Sequence, residues 1–279
     1  MAEITAKLVM ELRGKTGAGM ADCKKALTET DGDMEQAIDY LRKKGAAQIA
    51  KRADRESNEG IVLIRVSADS KTAVLLAVTC ETDFVSRNQE FVDYATSVVE
   101  VAANSTASSV AELLALKVGD VTVEAAHNDI LAKFSEKIEI GKFERITTTG
   151  SLTSYIHNGS KLGVVLDLSA ELKTDAQIAL AKDIAMQIAA MAPSFVNRSA
   201  VTQDALDREK AIYLEQAAAE GKAPDMAERI ATGKIEKYYK EACLVEQPFV
   251  KDATKTVTDI VKEIATDAVV NNFVRVAIG

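Results

Sequence analysis

Three residues able to do chemistry stand within four positions of one another: Cys80, Glu81 and Asp83, in the stretch CETDFVSRN. A cysteine nucleophile needs a base or a positive neighbour, and acid–base work needs carboxylates converging on one reacting group. Glu81 and Asp83 alternate with Thr82, a spacing compatible with a carboxylate pair, but no second catalytic cluster exists to complete the set. The two histidines, His127 and His157, belong to no metal-ligand motif. TGAGM (16–20) is too short for a phosphate loop and follows a helical pattern instead of a strand. The same connection carries Phe84 beside Asp83, where small polar residues are the rule. Two readings of Phe84 stand open. It tucks under the following helix beside Phe91, or it stays exposed as an anchor for a partner. Burial of a Phe is worth about 1.5–3 kcal/mol, so an exposed one holds that stabilisation in reserve, and aromatic anchors dominate protein interfaces.

The elements that must position these residues are set by length and pattern. A chain of 279 residues suits two or three compact units, and its 47% hydrophobic content is ordinary for a globular protein. The net charge of −8 disfavours a phosphate backbone as a partner over the whole surface. The three cysteines are odd in number, far apart and outside any CxxC pattern, which argues against disulfides and zinc. No apolar run approaches the ~18–20 residues of a spanning helix, and MAEITAKLVMELRGK lacks the form of a secretory signal. The expectation is a cytoplasmic protein without metal, cofactor, membrane or direct nucleic-acid partner.

Residues 1–55 read as three helices and a linker. ITAKLVMELRGKT sets Ile4, Leu8, Val9 and Leu12 on one stripe, and Gly17-Ala18-Gly19 is expected to end it through positive φ. ADCKKALTET turns Cys23, Ala26 and Leu27 inward. Asp33 with Gln36 has capping-box spacing before Met34, Ala37, Ile38 and Leu41. KKGAAQIAKRADRESNEG (43–60) is a basic, partly helical linker. Its Lys43, Lys44, Lys51, Arg52 and Arg55 are either solvated or aimed at RNA or an acidic partner.

From Gly60, GIVLIRVSADSKTAVLLAVTC reads as a hairpin turning at 68–71, with a helix at 88–104 and further helices at 107–117 and 122–139. GSLTSYIHNGSKLGVVLDLSA (150–170) repeats strand, turn and strand, its Asn158-Gly159 being a strong hairpin signal, and a helix follows at 175–193. KTAVLLAVTC aligns over KLGVVLDLSA, and Gly60 pairs with Gly150, 90 residues on. Two charged helices around Gly221 to Pro224 form an antiparallel hairpin, with Leu206, Ile212 and Ala217 facing Met226, Ile230 and Tyr238. The chain returns through EQPFV, a helix at 255–265 and a strand in AVVNNFVRVAI. The expected class is α+β: a three-helix head (1–55), two related ββα-type units (56–142, and 143–198 with 243–279) and an inserted hairpin (199–242).

LRGKTGAGMADCKKAL (12–27) and VTCETDFVSRN (78–88) closely resemble the two signature motifs of the bacterial elongation factor Ts family, and SYIHNGSKLGVV (154–165) and QPFV (247–250) resemble further segments of it. The resemblance runs from residue 2 to about 276. It implies a guanine-nucleotide exchange factor for elongation factor Tu. The implied fold is a ubiquitin-associated-like head, two related α/β subdomains and a coiled-coil hairpin. It further implies that Thr82, Asp83, Phe84 and Val85 enter the GTPase domain and dislocate the Mg²⁺ that holds the nucleotide. Arg13, Gly19 and Met20 of the head would dock on the same domain, and His157 and Gly159 on a β-barrel domain. Two readings of the hairpin stay open: it pairs two copies in self-association, or it stiffens one. The pattern departs from the family at Ala21, where relatives commonly carry a second Met. It departs also at VRVAIG, where many members continue into a short helical module. Two other functions compete: a hydrolase using Cys80, Glu81 and Asp83, and a passive adaptor indifferent to the nucleotide.

Overall fold

A computed structural model describes every residue except 1–3, 17, 53 and 158, and only the backbone of 45–51. The first three helices are α1 (Ala6–Thr16), α2 (Met20–Glu29) and α3 (Met34–Arg52). Val9, Leu12, Cys23, Ala26, Leu27 and Ala37 close a small core, ringed by Ile4, Leu8, Met34, Ile38 and Leu41. Asp33 Oδ1 accepts the Gln36 N–H at 2.9 Å, and the Gln36 amide returns to Asp33 Oδ2. Gly19, expected at positive φ, has φ −61° and serves as the extended N-cap of α2; Gly17 lies outside the described residues. α3 runs through most of the expected linker. Its Lys44 pairs with Asp22 at 2.6 Å, and Arg52 donates to the Phe134 carbonyl. These basic residues are thus engaged within the molecule, while the Lys51 side chain is outside the described part.

The next block is β1 (Glu59–Val66), β2 (Thr72–Cys80), α4 (Asp83–Ser86), α5 (Gln89–Ala103), α6 (Val110–Ala115), β3 (Lys117–Val118), β4 (Val121–Thr122), α7 (Val123–Lys133) and β5 (Ile138–Thr147). β5 corrects the sequence reading, which carried a helix through 139 and set a boundary at 142/143, inside this strand. The register between Cys80↔Ile138 and Ala73↔Ile146 slips at Ala77/Val78. That bulge leaves Gly141 as the extra residue and switches which side chains face the core, from Ile138 and Ile140 to Phe143. A strand whose alternation breaks midway shows no sustained two-residue period.

The last block is β6 (Ser151–Ile156), β7 (Leu162–Leu168), α8 (Asp175–Met191), α9 (Gln203–Ala219), α10 (Pro224–Ala242), β8 (Pro248–Phe249), β9 (Asp252–Thr256), α11 (Val257–Ile264) and β10 (Val270–Ala277). α9 and α10 lie side by side, with Pro224 opening α10. Small residues make their seam: Ala217, Ala227 and Ala231 are buried, whereas Ile212 and Met226, expected there, are exposed. Arg198 ties the base of the pair, bonding Glu236 and Glu246 and lying over the Tyr239 ring at 4.4 Å. In the QPFV segment Phe249 is buried, and Gln187 of α8 holds the chain by donating to the Pro248 carbonyl and accepting from the Val250 N–H.

Beside the two-stranded ladders β3-β4 and β8-β9, the two three-stranded sheets run β1-β2-β5 and β6-β7-β10, all antiparallel. They repeat one another in detail. Ser70 (φ 58°) and Ser160 (φ 56°) make the same left-handed step in the two hairpin turns. An added Cβ at Gly60 would overlap the Val78 carbonyl oxygen, and one at Gly150 the Leu168 carbonyl oxygen. Arg145 of β5 donates to the Ala102 carbonyl at the end of α5 and to the Ala107 carbonyl in the loop beyond it, and Arg275 of β10 to the Ala189 carbonyl near the end of α8. The contacts between the sheets are reciprocal: Val62 N–H bonds the Ser160 carbonyl, and Leu152 N–H the Ser70 carbonyl.

Each sheet is covered on both faces. Val74, Leu76 and Val78 pack on Phe91, Tyr94 and Val98 of α5; Val164, Leu166 and Leu168 pack on Ile184 and Ile188 of α8. Between the sheets lie Val62, Ile64, Leu75, Ala77, Leu152 and Val165. Burial on two faces is why TAVLLAVTC is apolar almost without interruption.

Candidate functional site

The connection from β2 to α5 is a single helical turn, α4, with different sides put to different uses. Thr82 is its N-cap, with extended backbone (φ −126°, ψ 155°) and a side-chain oxygen facing the Val85 N–H. Val85 and Ser86 are buried, and Val85 joins the core under α5. Phe84 points the other way and is 84% exposed, the most exposed large apolar side chain among the described residues. The aromatic that fills the core is Phe91, at 0% exposure. Asn88 then caps α5 by accepting the Glu90 N–H at 2.9 Å. The question left open by the sequence is thereby answered: Phe84 is not a core residue of this chain.

The chemically able neighbours do not converge. The Cys80 thiol is buried and donates to the Thr82 carbonyl at 3.2 Å. Burial, with the Glu136 and Glu59 carboxylates nearby, pushes its pKa up to about 12, so it stays protonated at neutral pH. Partial burial pushes the Glu81 carboxyl up, but the Lys137 N–H at 2.6 Å and the Arg55 guanidinium at 3.2 Å outweigh it, and its pKa is lowered. Asp83 pairs with Arg87 on the surface at 3.2 Å. His127 is bonded through Nδ1 to the Tyr94 hydroxyl at 2.7 Å, and burial lowers its pKa. Among the described residues no three His, Cys, Asp or Glu side chains gather to hold a metal ion.

The remaining expected residues lie on two other surfaces. Arg13, Gly19 and Met20 are exposed on the three-helix unit, Met20 at 41%. His157 and Gly159 are exposed at the β6–β7 turn, with His157 Nδ1 bonded to the Tyr155 hydroxyl at 2.9 Å and Gly159 at φ 85°; Asn158 between them lies outside the described residues. This turn lies at the same end of the paired sheets as the 80–88 connection. Glu59 stands opposite Cys80 in the ladder, and Lys161 pairs with Glu59 at 2.6 Å.

One residue of the site was not foreseen. Glu136 accepts the Glu81 and Thr82 N–H groups at 3.1 and 3.0 Å and the Thr82 hydroxyl at 2.5 Å. Its position, 54 residues beyond Thr82 and inside an expected helix, left no mark in the local pattern. The helix stops at Lys133, and the turn into β5 brings Glu136 back under the connection.

The 82–85 turn thus shows an aromatic to solvent, beside reactive groups that are buried, bonded or scattered. The family model for elongation factor Ts matches residues 81–279. An elongation factor Ts of Chloroherpeton thalassium is 50% identical over 268 residues, covering 94% of this chain and 92% of that protein. That of Chlorobaculum tepidum is 45% identical over the whole of both chains, and that of Clostridium perfringens 45% identical over 278 residues. The chain belongs to the elongation factor Ts family, whose place is in translation elongation as nucleotide exchange factors for elongation factor Tu. No described helix is long and apolar enough to cross a membrane.

Proposed function

We propose that this protein binds elongation factor Tu·GDP in the cytoplasm and releases GDP by inserting the 82–85 turn into the GTPase domain. Phe84 enters an apolar pocket there, Asp83 fixes its approach, and Mg²⁺ is dislocated from the phosphates. The observation that carries this reading is the combination of an 84% exposed Phe84 with a buried Val85 one residue on. An anchor held rigid before binding loses little conformational entropy when it docks. The three-helix unit docks through Arg13, Gly19 and Met20, and the β6–β7 turn touches a second domain of the partner through His157 and Gly159.

The mechanism needs no bond chemistry. A factor that prefers the Mg²⁺-disordered partner must weaken GDP by the factor with which GDP weakens it. Both GDP-bound and nucleotide-free elongation factor Tu are therefore partners. We read the chain as a ubiquitin-associated-like head, two related subdomains, with the first extending to the end of β5, and a coiled hairpin that offers a surface for self-association.

The test is release of a fluorescent GDP analogue from elongation factor Tu. Phe84→Ala is expected to lower the exchange rate by about thirtyfold or more, the size of a lost interface anchor, with an unchanged helical signal. Undiminished exchange by the variant would sink the wedge reading. Equal affinity for GDP-bound and nucleotide-free partner would identify a passive adaptor instead.

A further inference from the structure

A lone helical turn does not hold its own shape in water, yet α4 must present Phe84 in one direction. Its own capping contact is weak, since the Thr82 oxygen lies 3.5 Å from the Val85 N–H. The stronger restraint comes from outside the turn. Glu136 Oε2 takes the consecutive N–H groups of Glu81 and Thr82, at 3.1 and 3.0 Å, and Oε1 takes the Thr82 hydroxyl at 2.5 Å. Donation of that hydroxyl proton to Glu136 leaves the oxygen's lone pairs for Val85. A return bond runs from the Lys137 N–H to Glu81 at 2.6 Å, so two neighbouring pairs of residues clasp each other crosswise. Arg55, just beyond α3, closes on the same Glu81 carboxylate.

We infer that Glu136 is a positioning residue for exchange: it touches no partner, and it holds the 81–85 turn in the geometry that presents Phe84. The inference rests on the wedge reading above. Charge-assisted bonds to a carboxylate are the strong kind, and their loss lets the turn sample other shapes. Apparent affinity falls with the fraction of molecules in the competent shape, while the bound complex stays the same.

The experiment is a titration of GDP release against factor concentration for the full chain, Glu136→Ala, Glu136→Gln and Phe84→Ala. Glu136→Ala is expected to raise the half-saturating concentration about tenfold, the scale set by losing hydrogen bonds to a charged group, with little change in the rate at saturation. Amide hydrogen exchange of residues 81–86 should quicken while the melting curve barely moves. Glu136→Gln keeps an oxygen for the two N–H groups and an amide for the Thr82 hydroxyl, and is expected to recover to within about threefold. If Glu136→Ala fails to fold, Glu136→Asp, one methylene short, serves in its place with the same expected rise. Wild-type titration by Glu136→Ala or, where needed, Glu136→Asp, alongside a defective Phe84→Ala, overturns the inference alone. Undiminished exchange by Phe84→Ala overturns the wedge reading beneath it.

Discussion

The two halves of the paired sheets leave their central strands differently. After β7 the chain passes through 169–173 straight to α8, where Thr174 and Gln177 form a reciprocal capping box. Leu172 is half-buried there and no aromatic is present. After β2 the chain inserts an extra helical turn, held by Glu136, with Phe84 outward. Both halves complete the same strand-to-helix step, so the fold itself has no need of Phe84. The proposed wedge gives a use to an exposed Phe on a buttressed turn that the equivalent place lacks.

The sharpest break of that comparison sets Phe91 against Phe84. Phe91→Ala empties a fully buried site and is expected to cost about 3–5 kcal/mol in urea unfolding. Phe84→Ala should stay within about 0.5 kcal/mol in the same melts while losing exchange. Next come the matched glycines. Gly60→Ala and Gly150→Ala each drive a methyl into a strand carbonyl and should each cost about 2–3 kcal/mol, with similar thermal shifts. A large difference between them would mean that the halves are less alike than their registers. Thr174→Ala removes the cap of α8 and is expected to cost about 1 kcal/mol without touching exchange.

The smallest effect is at Cys80, where burial first, then the Glu136 and Glu59 carboxylates, raise the pKa to about 12. The folded chain keeps this proton where the unfolded chain, with a thiol near ~8.5, releases it. The resulting stabilisation is complete below about pH 8.5 and fades as pH rises towards 12. At pH 8 alkylation of Cys80 should be about a hundredfold slower in the native protein than in urea, by mass spectrometry.

Local pattern was enough for much of this molecule. The apolar stripes of α1, α2 and α3, the helices α5 and α8, and both hairpins rest on periodicity and turn residues, which act within a few positions. The 90-residue likeness of the two hairpins was visible in KTAVLLAVTC and KLGVVLDLSA. Tertiary structure decided the rest. β5 hid because a bulge at Gly141 breaks its alternation and because β2, not its own residues, makes it a strand. The direction of Phe84 was undecidable from CETDFVSRN, since exposure depends on what else covers a side chain. Phe91, Tyr94 and Val85 already fill the space under α5. Glu136 became part of the site only when the turn after α7 folded back. Hydrogen bonds between residues 54 positions apart leave no period in a sequence, because the chain between them, and not their spacing, brings them together.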